Sequence, residues 1–496
     1  MTIPVLFRLR EDEAAPAIDR RAFLRLAASG AALAGVSVLA GGLGQAFCAT
    51  PPGGDCPAGD AASYTASSPG AAGMFALFSD VHFDPFADPA RVKALAAAPA
   101  GRWREILAES RAACSPYGQD SNDALFQSFL DDMARRAPRP DFLLYPGDLL
   151  CHRFWDLYPR LTGDGTQQGL LAFIAKTVEY FLAETARRFP GVPLYMALGN
   201  NDSVEGDYGI EPKSPFFPVT APLIARLALK DGAGCASFLE TYPGFGCYAL
   251  ALPGPAKGRL VVLNNIFWSK RYRRPDAGGP VLDYLKDQLE RAGRRGEKVW
   301  LLSHIPPGDN SKASAARFLK KGEDVYEPLL AGVWNDALAG LLVKYAHVVR
   351  AAFAGHVHRD EFRLVYPASG ETPAASMRLG PSISPITGNN PGYQVYTYDR
   401  DSLELLDMTA HFLDIGSSGP AWAVEYEYAR TYGRGLRSPG DWGEMYRNLQ
   451  VCPARRKAFA EGFDLRSAHI DEVTERTFPI YWESLSLRAG GIGERA

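Results

Sequence analysis

Five short clusters of acidic, amide and imidazole side chains recur along the chain: Asp80-Val81-His82, Gly147-Asp148 with His152 four residues on, Gly199-Asn200-Asn201-Asp202, Ser303-His304, and Gly355-His356-Val357-His358. Imidazole nitrogens and carboxylate or carboxamide oxygens are donors that borderline divalent cations accept. Each cluster alone is weak, since Asp-x-His is common by chance and Gly-Asp is an ordinary turn. Together they carry more weight, because five of the eight histidines (His82, His152, His304, His356 and His358) fall in or beside them. Two cations about 3.5–4 Å apart clamp the attacking and leaving oxygens of an in-line displacement, such as hydrolysis of a phosphate ester. A water between them is acidified into a hydroxide nucleophile near neutral pH, so no covalent intermediate is needed.

The elements that must position these residues are legible as alternating patterns. Apolar runs at 74–79, 142–145, 194–197, 260–263, 299–302 and 348–354 predict strands, and segments such as 122–136, 170–188, 282–292 and 335–345 carry helical patterns. The alternation predicts an α/β fold with helices packed on buried sheet. Five of these strands run into the five clusters, at the carboxyl ends where open α/β sheets place their ligands. Gly147, Gly199 and Gly355 let the backbone turn sharply there. The runs 362–365, 375–379, 393–398 and 403–408 are strand-rich without helices and read as the second half of a sandwich. From residue 421 the patterns are helical and aromatic, which predicts a small helical appendage.

Composition narrows the class. With 47% hydrophobic and 22% charged residues over 496 positions, the chain is an ordinary globular protein of one large domain with a smaller one, or two. A net charge of -3 argues against a nucleic-acid-binding platform, which would show a basic stripe. Asp19-Arg20-Arg21-Ala22-Phe23-Leu24-Arg25, followed by an Ala/Gly-rich apolar run, looks like a twin-arginine export signal over 1–46, with Ala46 as the cleavage point. The alternative is an uncleaved membrane anchor. Residues 47–72 read as a flexible linker, 73–410 as the catalytic domain and 411–496 as the C-terminal helical region. Export permits disulfides, and of the seven cysteines Cys235 and Cys247, flanking a Gly/Pro/Tyr-rich segment read as a loop, are the best pair.

The ordered series resembles the calcineurin-like metallophosphoesterase superfamily and, more narrowly, the acid sphingomyelinase-like phosphodiesterases. The narrower likeness rests on Asp80-Val81-His82-Phe83-Asp84-Pro85, on His152 after Gly147-Asp148, on Pro381-Ser382-Ile383-Ser384-Pro385, and on Asn390-Pro391-Gly392-Tyr393-Gln394-Val395-Tyr396. Trp422, Glu425-Tyr426 and Tyr432-Gly433 fit that family's C-terminal region. The resemblance implies a four-layer α/β/β/α metallophosphoesterase sandwich with a small C-terminal helical region. It implies two divalent ions, with Zn expected and Fe or Mn as alternatives. Asp80, His82 and His358 would hold one ion, Asn200, His304 and His356 the other, and Asp148 would bridge them. His152 would contact phosphate or protonate the leaving oxygen, with a structural role as the alternative. Asn201 departs from the family, where most members carry His. Its amide cannot act as an acid, though it can hydrogen-bond a phosphoryl oxygen, and Gly-Asn-Asn-Asp also resembles the endopolyphosphatases. Asp202 is expected to orient a ligand histidine.

The resulting expectation is an exported phosphodiesterase or phosphomonoesterase acting on a small phosphate ester or lipid head group, with transient membrane-surface contact and export machinery as partners. A polyphosphatase or nucleotide phosphoanhydride hydrolase is the alternative enzyme, and a catalytically inactive scaffold the non-enzymatic one. Phe267, Trp268 and Tyr272 are candidates to line a cleft, and Arg271, Arg273 and Arg274 to hold a distal phosphate. Core packing and a solvated basic loop are the competing readings. His347, His411 and His469 lack a motif and read as structural.

Overall fold

The computed structural model describes residue 65 and residues 71–490, apart from 231, 233, 323–325 and 471–472. The expected signal over 1–46 and most of the linker over 47–72 lie outside the described residues. Among the described residues, no helix is long and apolar enough to cross a membrane.

The short apolar runs form two sheets. The first joins β1 (Ala72–Leu77), β2 (Phe142–Tyr145), β3 (Leu194–Met196), β10 (Gly392–Asp399), β11 (Leu405–Leu413) and β12 (Trp422–Glu427) in the order β12-β11-β10-β1-β2-β3. The second joins β4 (Tyr248–Ala251), β5 (Gly258–Val262), β6 (Lys298–Leu302), β7 (Val349–Ala354), β8 (Glu361–Tyr366), β9 (Ala375–Leu379) and β13 (Ser486–Arg488) in the order β13-β8-β9-β7-β6-β5-β4. β1, β2 and β3 are parallel to one another, as are β5, β6 and β7. β2 is buried along its whole length, as a strand covered on both faces must be.

Aromatic rings hold the sheets together. In the register Phe142–Phe75–Tyr396, Phe75 stacks on Phe142 at 5.2 Å and on Tyr396 at 4.8 Å. From the opposite sheet, Trp300 and Phe353 meet Phe75 edge-on at 5.1 and 5.5 Å, the geometry that ring quadrupoles favour. Helices cover the outer faces. Helix Asp123–Arg136 is capped by Asn122, whose side chain accepts from the Leu125 amide, and ends in Arg135 and Arg136, which complement the helix dipole. Its Phe129 packs on Phe78, and Phe181 of helix Gln167–Arg188 packs on Tyr145. Helix Gly278–Arg295 buries Val281, Leu285, Leu289 and Ala292, one helical stripe, against the second sheet. The layers run helix, sheet, sheet, helix.

Two expectations change. The stretch between Cys235 and Cys247 is helix Cys235–Phe245 and not a loop. At 1.5 Å per residue that helix holds its ends about 15 Å apart, beyond the span of a disulfide. The two thiols are not joined: Cys235 Sγ donates toward the Ala225 carbonyl at 3.7 Å, and Cys247 Sγ accepts from the Asn264 amide at 3.2 Å. Second, the end of the chain is helical over Tyr428–Tyr432, Pro439–Val451, Pro453–Phe463 and Phe478–Ser484, yet it also gives β12 to one sheet and β13 to the other. Its helices are therefore woven onto the sandwich instead of appended. Phe267 and Trp268 follow the core-packing reading, with Trp268 Nε1 donating to the Gly278 carbonyl, and the Tyr272 hydroxyl donates to the Ile210 carbonyl.

The residues after His358 take part in this weaving. Arg359 pairs with Asp464 at 3.2 Å, Asp360 with Arg378, and Glu361 with Arg363 at 2.9 Å, all in the interior. The Asp360 amide also donates to the Phe463 carbonyl.

Candidate metal centre

Each parallel strand hands its cluster to the same place. Beyond β1 and β2 the two chains stay paired, with Asp80 N on the Gly147 carbonyl and His82 N on the Asp148 carbonyl. The Gly355 amide likewise donates to the His304 carbonyl, joining the loops after β6 and β7. Five of the seven expected ligands adopt left-handed backbone angles: Asp80 (φ 48), His82 (φ 44), Asp148 (φ 61), His356 (φ 74) and His358 (φ 60). Such angles cost a non-glycine residue roughly 1–2 kcal/mol each, and they gather where function over-determines them. Gly199 and Gly355 serve by close approach: a methyl group at Gly199 would collide with the Asp148 carboxylate, and one at Gly355 with Ser79 and the Asp80 carboxylate.

All seven expected ligands converge, and their lone pairs meet. His82 Nδ1 is 3.1 Å from the Leu150 carbonyl and His304 Nδ1 is 3.2 Å from the Pro146 carbonyl. A carbonyl only accepts, so both rings carry their proton on Nδ1 and Nε2 is left as a lone pair unless the ring is charged. His82 Nε2 then faces His358 Nε2 at 3.2 Å and Asp148 Oδ2 at 3.4 Å. His304 Nε2 faces Asn200 Oδ1 at 3.1 Å, His356 Nδ1 at 3.2 Å and the same Asp148 Oδ2 at 3.4 Å. Asp80 Oδ1 lies 3.3 Å from His358 Nε2. Ligand atoms of Asp80, His82, Asp148 and His358 all lie within 4.8 Å of one another. Ligand atoms this close, buried and facing one another fit cations held between them. Two groups of donors sharing Asp148 fit two divalent ions, with Asp80, His82 and His358 on one side and Asn200, His304 and His356 on the other.

The titration behaviour agrees. Burial would raise the Asp80 carboxyl, but His358 and then His304 hold it down at about 2. Asp148 is raised by burial and, more strongly, held well below the carboxylate range by His304 and His82. Burial lowers His304, yet Asp148 lifts it to about 9, whereas burial and then His304 push His356 down to about 3. The carboxylates demand positive charge at the centre, and a proton on His304 meets part of that demand.

The other expected residues sit close by in different roles. His152 stacks on His82 with ring centroids 4.2 Å apart, and its Nδ1 and main-chain amide both donate to Asp120, at 3.0 and 2.8 Å. Burial disfavours its charged form, but the hydrogen bond and charge of Asp120 lift it to about 9. Its side chain is 41% exposed, so the ring's other edge is open beside the ligands. Asn201 is turned inward: its amide nitrogen and Nδ2 donate to Asp148 Oδ1 and Oδ2 at 2.8 and 3.1 Å. It holds the shared carboxylate, an arrangement different from the expected contact with a phosphoryl oxygen. Asp202 touches no ligand histidine through a hydrogen bond. Its Oδ1 accepts from the amides of Leu149 and Leu150, and its Oδ2 from those of Asp148 and Gly199. Four backbone donors occupy both oxygens, so Asp202 fixes the turns that carry Asp148 and Asn200.

Several residues at the site carry no recognisable signal in the sequence. Asp120 looks like any acid ahead of a helix, and its donor Ser384, at 3.1 Å, lies in the Pro381–Pro385 run noted above, where nothing in the string points to this contact. Asp207 accepts from Asn200 Nδ2 at 2.7 Å, and the Tyr208 hydroxyl lies 3.2 Å from His356 Nε2.

Comparison with known proteins bears on this arrangement. The family model described as calcineurin-like phosphoesterase matches residues 74–360, a span that holds all seven expected ligands. Acid sphingomyelinase-like phosphodiesterase 3b of Mus musculus is 28% identical over 388 residues, covering 73% of this chain and 76% of that protein. Cyclic GMP-AMP phosphodiesterase SMPDL3A of Homo sapiens is 23% identical over 385 residues, again covering 73% and 76%. Among solved structures, that of PhoD aligns with a TM-score of 0.41 at 12% identity, covering 78% of this chain and 77% of the other.

Proposed function

Because the chain belongs to the calcineurin-like phosphoesterase family, we propose that it is an exported two-metal hydrolase of phosphodiester or phosphomonoester bonds. The observation that carries this reading is the convergence of lone pairs on two points that share Asp148. The relatives named above are phosphodiesterases of a sphingomyelinase-like and a cyclic dinucleotide type, which supports a phosphate diester as substrate. Two divalent ions, with Zn first and Fe or Mn as alternatives, would polarise the phosphoryl oxygens and acidify a water. The chain's own contributions are distinct from this. Asn201 and Asp202 hold Asp148 and its turn in position. His152, charged through Asp120 and open at its outer edge, is placed to give a proton to the leaving oxygen. The twin-arginine pattern at Arg20-Arg21 supports export to the periplasm or beyond, with a lipid head group as one reachable substrate.

A second reading, cleavage of phosphoanhydrides, is favoured by Asn201. It leaves no proton donor at its position, and a phosphate leaving group needs less protonation than an alkoxide. Metal-loaded protein assayed against bis-p-nitrophenyl phosphate, sphingomyelin, a cyclic dinucleotide, nucleoside triphosphates and polyphosphate separates the two. Turnover of anhydrides alone would replace the first reading with the second. Full activity in Asp148→Ala would overturn both.

A further inference from the structure

Asparagine and neutral histidine are ambiguous ligands. A carboxamide presents either an oxygen or an amino group, and an imidazole has one lone pair that sits on either nitrogen. For two ligand histidines the chain resolves this with backbone: the carbonyls of Leu150 and Pro146 claim Nδ1 of His82 and His304. No substitution removes those partners. Asn200 and His356 are resolved differently, by two adjacent side chains on the loop after β3. Asp207 can only accept, so Asn200 must turn its Nδ2 to it, which presents Oδ1 to His304 and the centre. The Tyr208 hydroxyl meets Nε2 of His356, and if it accepts the Nε2 proton, Nδ1 is left as the lone pair facing His304 Nε2.

Both partners are themselves held by one cation. Arg271 Nη2 lies 3.5 Å from Asp207 Oδ2, and its guanidinium carbon sits 4.5 Å over the Tyr208 ring. We propose that Asp207 and Tyr208 are positioning residues that select Asn200 Oδ1 and His356 Nδ1 as ligand atoms, and so set the affinity of one of the two ions and not the other. The inference rests on the two-metal reading above and adds an asymmetry between the sites. Hydrogen-bond partners of ligands are worth about 10–100-fold in metal affinity.

The test compares wild type, Tyr208→Phe and Asp207→Ala, each stripped with chelator and titrated with Zn²⁺ against a chromophoric chelator, with bound metal counted by mass spectrometry. The expected result is two ions in the wild type, and in each variant one ion at wild-type affinity with the other weakened about 10–100-fold. Two ions bound at wild-type affinity in both variants overturns the proposal, as does an equal loss at both sites. A wild type that takes up fewer than two ions instead overturns the two-metal reading. Tyr208 is buried, so should Tyr208→Phe fail to fold, Asp207→Ala decides alone, its side chain being 32% exposed. Melting of the metal-free proteins separates lost affinity from lost fold.

Discussion

Gly199→Ala puts the shared carboxylate under direct stress. The added methyl would lie inside 3.0 Å of Asp148 Oδ1, Cγ and main-chain N, a proximity that real Cβ atoms essentially never show. The main chain of Asp148 cannot withdraw, because its amide is held by Asp202 and its carbonyl by His82 N. The carboxylate must therefore retreat by on the order of 1 Å, and the main chains at 148 and 199 must be forced apart against those bonds, to regain van der Waals distance. Overpacking of this kind costs about 1–3 kcal/mol of stability. A shift of that size at reacting groups costs about 10²-fold in rate. Since Asp148 faces both donor groups, both ions should bind more weakly. The assay is kcat/KM on bis-p-nitrophenyl phosphate at saturating metal, together with metal content and urea unfolding. Gly340→Ala is the control, because nothing lies within 4 Å of a methyl there and the interior of helix Gly332–Lys344 should gain about 0.5–1 kcal/mol. A Gly199→Ala protein that keeps two ions and wild-type turnover would refute the argument.

The remaining expectations concern stability, pH and covalent state. Asp464→Ala leaves the buried Arg359 without its carboxylate, though still bonded to Thr387 and Asn389, and should cost about 3–5 kcal/mol in urea unfolding, whereas joint replacement of both residues by apolar ones recovers most of it; a loss below about 1 kcal/mol in the single variant would show the pair to be idle. Glu425 is raised by burial from 4.5 to about 8, so its contribution to stability is fully present below pH 4.5 and is lost as pH rises through about 8. Glu425→Gln should therefore gain on the wild type between pH 5 and 9, and a difference that stays constant with pH would contradict this. Chelation should abolish activity and lower the melting temperature, since ions that bind only the folded state stabilise it. An unchanged melting curve with full turnover in chelator excludes a bound-metal centre. Non-reducing peptide mapping should find Cys235 and Cys247 unlinked; a peptide joining them would mean the Cys235–Phe245 helix is wrong.

The convergence of the seven candidate residues was legible because strand ends, glycines and histidines coincide in the chain. Residues 142–145 and 375–379 emerge as strands with the predicted bounds, because their apolar runs are short and flanked by turn residues. What was hidden follows from contacts far apart in sequence. The same Gly-Asn-Asn-Asp string is compatible with an Asp202 that touches a histidine or one that gathers four amides, and only the meeting of β2 and β3 decides between them. Tyr208 and Asp207 carry no motif, since their meaning depends on where His356 and Asn200 point. Left-handed angles at Asp80 or His358 are invisible too, as neither residue type requires them. The pair Cys235/Cys247 failed for a local reason: Gly and Pro within 235–245 suggested a loop, yet the segment is helical.

The placement of β1 has a consequence in time. Its neighbours are β2, which follows within a few dozen residues, and β10, whose Asp399 lies opposite Ala72. Until the ribosome has delivered β10, the central strand of the first sheet keeps one edge unpaired, and β13 completes the second sheet only at Ser486–Arg488. An unpaired edge invites association with other chains, and distant pairing slows folding. The sandwich therefore closes late, once β10 and β13 have both emerged, and until then the nascent chain is in need of protection.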